Sequence, residues 1–159
     1  MIDIRIAAPS DATAICEVVR RSIAECCHAD HRGDPVVMAA WLENKTPEST
    51  LGWLQAANAV ALVAVRDGIV VGFALANEDE LTLLYVVHEA LYQGVGKALL
   101  RMIETRLVGA VHLKSTRTAR DFYARNGFCV SGPTQFWAGL EGQPMVKQLV
   151  KDLGSESGH

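Results

Sequence analysis

The chain has 159 residues, half of them apolar, and a formal net charge of −3. That length suits one domain with a sizeable core, and the acidic balance excludes the basic face that a nucleic-acid partner requires. Apolar runs are short and interrupted, which excludes a membrane-spanning helix. The opening "MIDIRIAAPSD" lacks the basic-then-apolar order of a signal peptide. Cys16, Cys26, Cys27 and Cys129 show neither a disulfide framework nor CxxC spacing, so a reduced cytoplasmic protein is expected.

In chain order, "IDIRIAA" alternates as a strand does. Ser10 is placed as the cap of a following helix, with Asp11 in its first turn. Ile15, Val19, Ile23 and Cys27 recur every four residues and form one apolar face. "DPVVMAAWLEN" and "PESTLGWLQAA" each carry Pro near a first helical turn and read as two shorter helices. "AVALVAV-RDG-IVVGFALA" is a hairpin with Asp67-Gly68 in its turn. "ELTLLYVV" is apolar on both faces, as a strand in the middle of a sheet must be.

After Gly94 the period becomes helical, with Leu99, Met102, Ile103 and Leu107 on one face and Lys97, Arg101 and Glu104 on another. "GAVHLK" reads as a short strand. "TRTARDFYARNGF" reads as a helix that shares Ala119, Phe122 and Tyr123 on one face and ends at Gly127. "QPMVKQLV" is a last strand and "GSESGH" a frayed tail. The order implies an α+β fold: a mixed sheet with helices on both faces, in one domain over residues 1–153 with a tail at 154–159.

"LYVVHEALYQGVGKALL" (84–100) has the look of a phosphate loop. A P-loop needs Gly five residues before Gly96 and a hydroxyl residue after Lys97, and the chain has Leu91 and Ala98 there. The dinucleotide fingerprint fails too, since it needs three glycines and a later acid. What is left is a buried strand running through a loop into a helix whose start carries Gly94 and Gly96. Without Cβ atoms these let a diphosphate reach backbone N–H groups at a favourable dipole end. The bland alternative is that the two glycines merely let the helix approach the sheet.

This loop and the later "STRTARDFYARNGF" together resemble the GNAT superfamily of N-acetyltransferases. The resemblance rests on Leu84-Tyr85-Val86, on Gly94-Val95-Gly96 in the G-x-G/A part of an R/Q-x-x-G-x-G/A loop, and on Ala119, Phe122, Tyr123, Gly127 and Phe128 in an A-x-x-F-Y-x-x-x-G-F motif. The order of elements fits from residue 2 to about 150. Departures are Leu91 at the R/Q position, Thr116 or Ser115 where an Asn is common, and His88 where a Pro is common.

The resemblance implies a mostly antiparallel sheet of six to seven strands, with strands 80–87 and 110–114 splayed apart. Pantetheine of acetyl-CoA would enter between them and pair with backbone at Val86 and Val87. Amides from Leu91 through Tyr92, Gln93, Gly94, Val95 and Gly96 to Lys97 and Ala98 would hold the pyrophosphate. Lys97 and Arg101 would add charge, and either Gln93 or the backbone alone would stand in for the missing R/Q. Tyr123 would be the acid that protonates the departing thiolate. The acceptor would be a small-molecule or protein amine, with transfer direct in a ternary complex and a homodimer as a further implied partner. A non-catalytic CoA-binding sensor is the rival from another class.

Glu80 is the chosen base, with Glu78 and Asp79 beside it, although an acidic turn also keeps a strand end soluble. His88 titrates usefully but is read as a loop residue. Cys26, Cys27, His28 and His31 carry potential zinc ligands, yet adjacent cysteines diverge on a helix and no second pair follows, so no metal is expected. Cys27 is read as core, and its neighbours as a mobile segment bordering the acceptor pocket. Trp41 and Trp53 are read as helix anchors, with pocket lining as the other possibility.

Overall fold

A computed structural model describes residues 1–149. The expected tail at 154–159 and the last residue of the final strand lie outside the described residues. Eight strands form the sheet, in the order β1 (Ile2–Ile6), β2 (Ala59–Arg66), β3 (Ile69–Asn77), β4 (Glu80–Val86), β5 (Ala110–Ser115), β8 (Leu140–Gln148), β6 (Cys129–Val130), with β7 (Gln135–Trp137) also paired to β8. All pairs are antiparallel except β4 with β5. Sequence reading expects six or seven strands. The two-residue β6 and three-residue β7 are too short to show a two-residue period.

Alternation sorts the sheet's side chains between two cores. Val63, Phe73 and Leu75, with Leu83 and Tyr85 against them, face α1 (Ala12–Cys26), α3 (Pro35–Leu42) and α4 (Pro47–Gln55). Leu62, Ala64, Ala74, Ala76 and Val86 face α5 (Val95–Glu104) and α6 (Arg120–Arg125). Phe73 is fully sealed and stacks on Trp53 at 6.2 Å between ring centroids, so Trp53 is a helix anchor. Burying a side chain of this size contributes about 1.5–3 kcal/mol. Ile15, Val19, Ile23 and Cys27 are all buried, and the four-residue spacing marks α1's inner face correctly.

Asp67 (φ 53°) and Gly68 (φ 77°) both adopt left-handed backbone, the turn that matches strand twist in a two-residue hairpin. The opening of α1 differs from expectation. A 3-10 turn over Pro9–Asp11 precedes it, and Asp11, not Ser10, supplies the side-chain bond, accepting from Ala8 N–H at 2.7 Å. Asp34 and Thr46 cap α3 and α4, with Pro35 and Pro47 just inside.

The helix after Gly94 ends at Glu104 rather than Leu107, and its sealed stripe is Val95, Leu99, Leu100 and Ile103, with Met102 outward. Gly72 in β3 lets it seat: a Cβ there would lie 3.0 Å from both Leu99 Cδ1 and Val95 Cγ1. Close helix–sheet approach is therefore served by Gly72, opposite the helix, which frees Gly94 and Gly96 of that duty. The last helix is shorter than expected, because residues 117 and 118 are held by a side chain from elsewhere, described below.

Asp11 also takes both Arg5 guanidinium nitrogens, at 2.8 and 3.0 Å. Those bonds hold its carboxyl below the ordinary range. A carboxyl depressed in the folded state stabilises above the ordinary aspartate pKa of about 3.9, and the contribution is lost as pH falls through the folded value. Asp11→Asn is expected to lower unfolding free energy by about 1 kcal/mol near pH 7. Urea titrations repeated near pH 2.5 should show the gap between variant and parent closing.

Candidate active site

β4 and β5 touch at a single register, Glu80 with His112. There His112 N–H donates to Asp79 O at 2.8 Å and the imidazole lies 3.7 Å from the Asp79 carboxylate. Each strand is committed to its other neighbour: β5 pairs with β8 over its full length, and β4 with β3 up to Val86. Past Glu80 the two strands part and leave a slot in the middle of the sheet. Leu83, Leu84 and Tyr85, although central, are only half-buried as a result. Thr82 has no register partner on β3, where Leu75 faces Leu83 and Ala76 faces Leu81. Such a bulge bends its strand and re-aims the side chains beside it.

At the open end of the slot, a 3-10 turn over His88–Ala90 leads towards α5. Several candidate amides are already engaged. Val87 N–H donates to Val71 O, and Val87 O accepts from Ala90 N–H, both at 3.0 Å. Leu91 N–H donates to His88 O at 3.2 Å, and Ala98 N–H to Gly94 O at 3.0 Å. Val86 therefore offers the strand edge better than Val87, whose carbonyl has only a second lone pair left.

The amides of Val95, Gly96 and Lys97 precede the first helical bond and have no acceptor among the described residues. Gly94 caps them at φ 82°, and a Cβ on it would meet nothing within 4 Å. A Cβ on Gly96 would touch Phe122 Cζ at 3.5 Å. Leu91 packs against the core, so no polar side chain stands at the R/Q position. Gln93 does not replace it: its Oε1 accepts from Arg66 and its Nε2 donates to Glu89 O at 3.3 Å. Tyr92 is fully exposed in left-handed backbone. Lys97 makes no ion pair among the described residues, whereas Arg101 lies 3.5 Å from Glu104.

Tyr123 is a core residue. Its ring packs edge-on between Phe122 and Phe128, with centroids at 5.3 and 5.5 Å. Burial pushes its phenol well above the ordinary range, so it stays protonated at neutral pH. Its hydroxyl meets no protein partner, yet among the described residues only Arg120 Nε and Nη2 are both sealed and without a hydrogen bond. The Tyr123 oxygen thus opens onto solvent-reachable space.

On the opposite side of the slot lies a cavity of ≈ 360 Å³, lined in part by Asp30, Trp41, Lys45, Tyr85, Lys114 and Glu141. Thr82 and Leu83 at the bulge, and Phe136 and Trp137 on the exposed β7–β8 hairpin, complete the walls that matter here. Tyr85 is pushed up by burial first, and a charge on Tyr123 would raise it further. Glu80 stands apart from this cavity: it is exposed at the joined end of the slot, paired with Asn77 and His112. Trp41 is at once a buried anchor and a cavity wall.

Asp30 is the residue that sequence reasoning missed most. Buried on the four-residue α2 (His28–His31), it accepts from Arg117 N–H at 2.6 Å, Thr118 N–H at 3.2 Å and Thr118 Oγ1–H at 2.5 Å. It thereby ties the cavity wall to the turn that starts α6. A lone acid between Cys27 and His31 gives no sign of a loop of donors 87 residues away. Lys45, Lys114 and Glu141 are equally silent in sequence.

The zinc alternative fails on geometry. His31 is buried, with Nε2 on Ile23 O at 2.9 Å and Nδ1 accepting from Gly33 N–H at 3.0 Å, so both ring nitrogens are engaged. Burial pushes the Cys27 thiol up to about 12, and the side chain packs in the core. No group of three or more metal-ligating side chains occurs among the described residues.

The sequence profile described as "Acetyltransferase (GNAT) domain" matches residues 27–149. The chain belongs to this GNAT acetyltransferase family and is an acyltransferase. Solved structures of similar fold include a GCN5-related N-acetyltransferase from Rhodopseudomonas palustris, at TM-score 0.78 and 23% identity over 92% of this chain and 95% of that one. PaiA N-acetyltransferase from Thermoplasma acidophilum, in complex with coenzyme A, matches at 0.77 and 24% over 93% and 99%. YncA from Salmonella typhimurium, with its cofactor acetyl-CoA, matches at 0.70 and 19% over 95% of both chains. No described helix is long and apolar enough to cross a membrane.

Removing the Asp30 carboxylate leaves two amides and a hydroxyl without their acceptor. Asp30→Ala is expected to cost about 2 kcal/mol of unfolding free energy, read by urea denaturation at neutral pH. An unchanged midpoint would show that the turn before α6 holds itself.

Proposed function

We propose that the protein transfers an acetyl group from acetyl-CoA to a primary amine, directly within a ternary complex. The observation that carries this reading is the slot between β4 and β5 with unengaged α5 amides at its open end. Those amides suit a diphosphate: Val95, Gly96 and Lys97 point three N–H groups outward at the positive end of a helix dipole. Gly94 keeps the approach clear, and Lys97 adds a cation. Tyr92 and Gln93 border the same loop, and Leu91 contributes shape rather than charge. The edge of β4 at Val86 offers backbone groups to the pantetheine arm, in the manner of an added strand.

The reacting carbon then falls between Tyr123 on one side of the slot and the cavity on the other. A β4 N–H exposed by the parting of the strands stabilises the oxyanion as the amine adds. Collapse breaks the C–S bond, and the Tyr123 hydroxyl donates its proton to the leaving sulfur. Its buried setting keeps that proton in place until then. A primary amine of lysine type costs about 4–5 kcal/mol to deprotonate at neutral pH. Because Glu80 lies outside the cavity, it is not given the base role. The open mouth of the cavity lets water carry the proton away.

Gly96→Asp adds a negative charge and bulk at the start of α5, beside Phe122, and is expected to weaken acetyl-CoA binding about tenfold or more, measured by calorimetry. Unaltered affinity would overturn the loop assignment. Tyr123→Phe is expected to lower kcat about 10²-fold with the cofactor Kd nearly constant. Full turnover in that variant would remove the acid role.

A further inference from the structure

We propose that the acceptor carries a carboxylate beside its amine, held by Lys45 and Lys114, and that it is an α-amino acid with a large apolar or aromatic side chain. This rests on reading the ≈ 360 Å³ cavity as the acceptor pocket. Four charged residues line that cavity, Asp30, Glu141, Lys45 and Lys114, and they divide by sign.

Both acids are already satisfied. Asp30 accepts three hydrogen bonds from residues 117 and 118. Glu141 lies 3.3 Å from the Arg117 guanidinium and 3.6 Å from that of Arg120. Among the described residues, both lysines lack a carboxylate. Lys45 is buried, and its Nζ donates only to neutral oxygens, Trp41 O at 3.4 Å and Asn44 Oδ1 at 2.6 Å. Lys114 makes no ion pair among the described residues. A buried cation without a counter-ion is costly, and burial accordingly lowers the Lys45 pKa. An anion in the cavity removes that cost.

The remaining walls are apolar and aromatic: Trp41, Tyr85, Leu140, Phe136 and Trp137. The last two are exposed, and a flat apolar side chain would cover them. The volume lies near the small end of the ~300–1,000 Å³ usual for ligand pockets, which suits a single amino acid. A polyamine or aminoglycoside would instead set further ammonium groups against two unpaired lysines.

The test measures CoA release from acetyl-CoA with tryptophan, phenylalanine, tryptamine, phenethylamine, phosphoethanolamine and spermidine. The expected result is a kcat/KM about tenfold or more higher for each amino acid than for its decarboxylated partner. Lys114→Gln and Lys45→Met should each shrink that ratio about tenfold. Lys114 is exposed on β5, so its variant keeps the test open should Lys45→Met fail to fold. Equal or better use of tryptamine, of phosphoethanolamine or of spermidine overturns the inference, as does a ratio that neither variant moves; acetyl transfer itself would then still stand. No CoA release with any amine overturns the transfer reading, and this inference with it.

Discussion

The parting of β4 from β5 is the constraint on which the rest depends. A sheet normally satisfies both edges of every inner strand. Here the ladder between these two closes at Glu80 and His112 and then stops. The neighbours make the gap possible: β3 holds β4 and β8 holds β5, so neither strand needs the other to stay in place. The bulge at Thr82 bends β4 at the start of the gap. A molecule entering the slot finds backbone groups that a continuous sheet would have consumed.

The two cores on either side turn this gap into a site with two distinct mouths. The α5–α6 side brings the helix-start amides and the Tyr123 phenol, seated by the close contact at Gly72. The α1–α4 side brings the charged and aromatic cavity. Asp30 is the physical link between them, since it sits in the cavity wall and holds the turn from which Tyr123's helix begins. The helix-start amides and the cavity therefore lie on opposite faces of one sheet, on either side of the place where the strands separate.

The same arrangement explains why several side chains at the expected positions play other parts. Leu91 adds to the core instead of reaching for phosphate, and Gln93 binds Arg66 and Glu89. What the loop leaves open is main-chain amides at the start of α5. Glu80 sits at the joined end of the slot, where its side chain faces water.

Period and turn chemistry were legible in the chain itself. The four-residue spacing of Ile15, Val19, Ile23 and Cys27, the left-handed Asp67-Gly68 turn, the apolar residues on both faces of β4 and the glycine-opened start of α5 each follow from local sterics and burial, and together with the A-x-x-F-Y motif they point to the family. Short strands were not legible: β6 and β7 exist because β8 offers an edge to pair with. Nor was the truncated α6, whose start is set by a carboxylate 87 residues upstream. The cavity's Asp30, Lys45, Lys114 and Glu141 come from four separate segments, and each alone resembles an ordinary solvated charge. Only packing decides which of them meet a partner and which do not, because counter-ions in a folded chain are assigned by proximity in space, and sequence order carries no record of it.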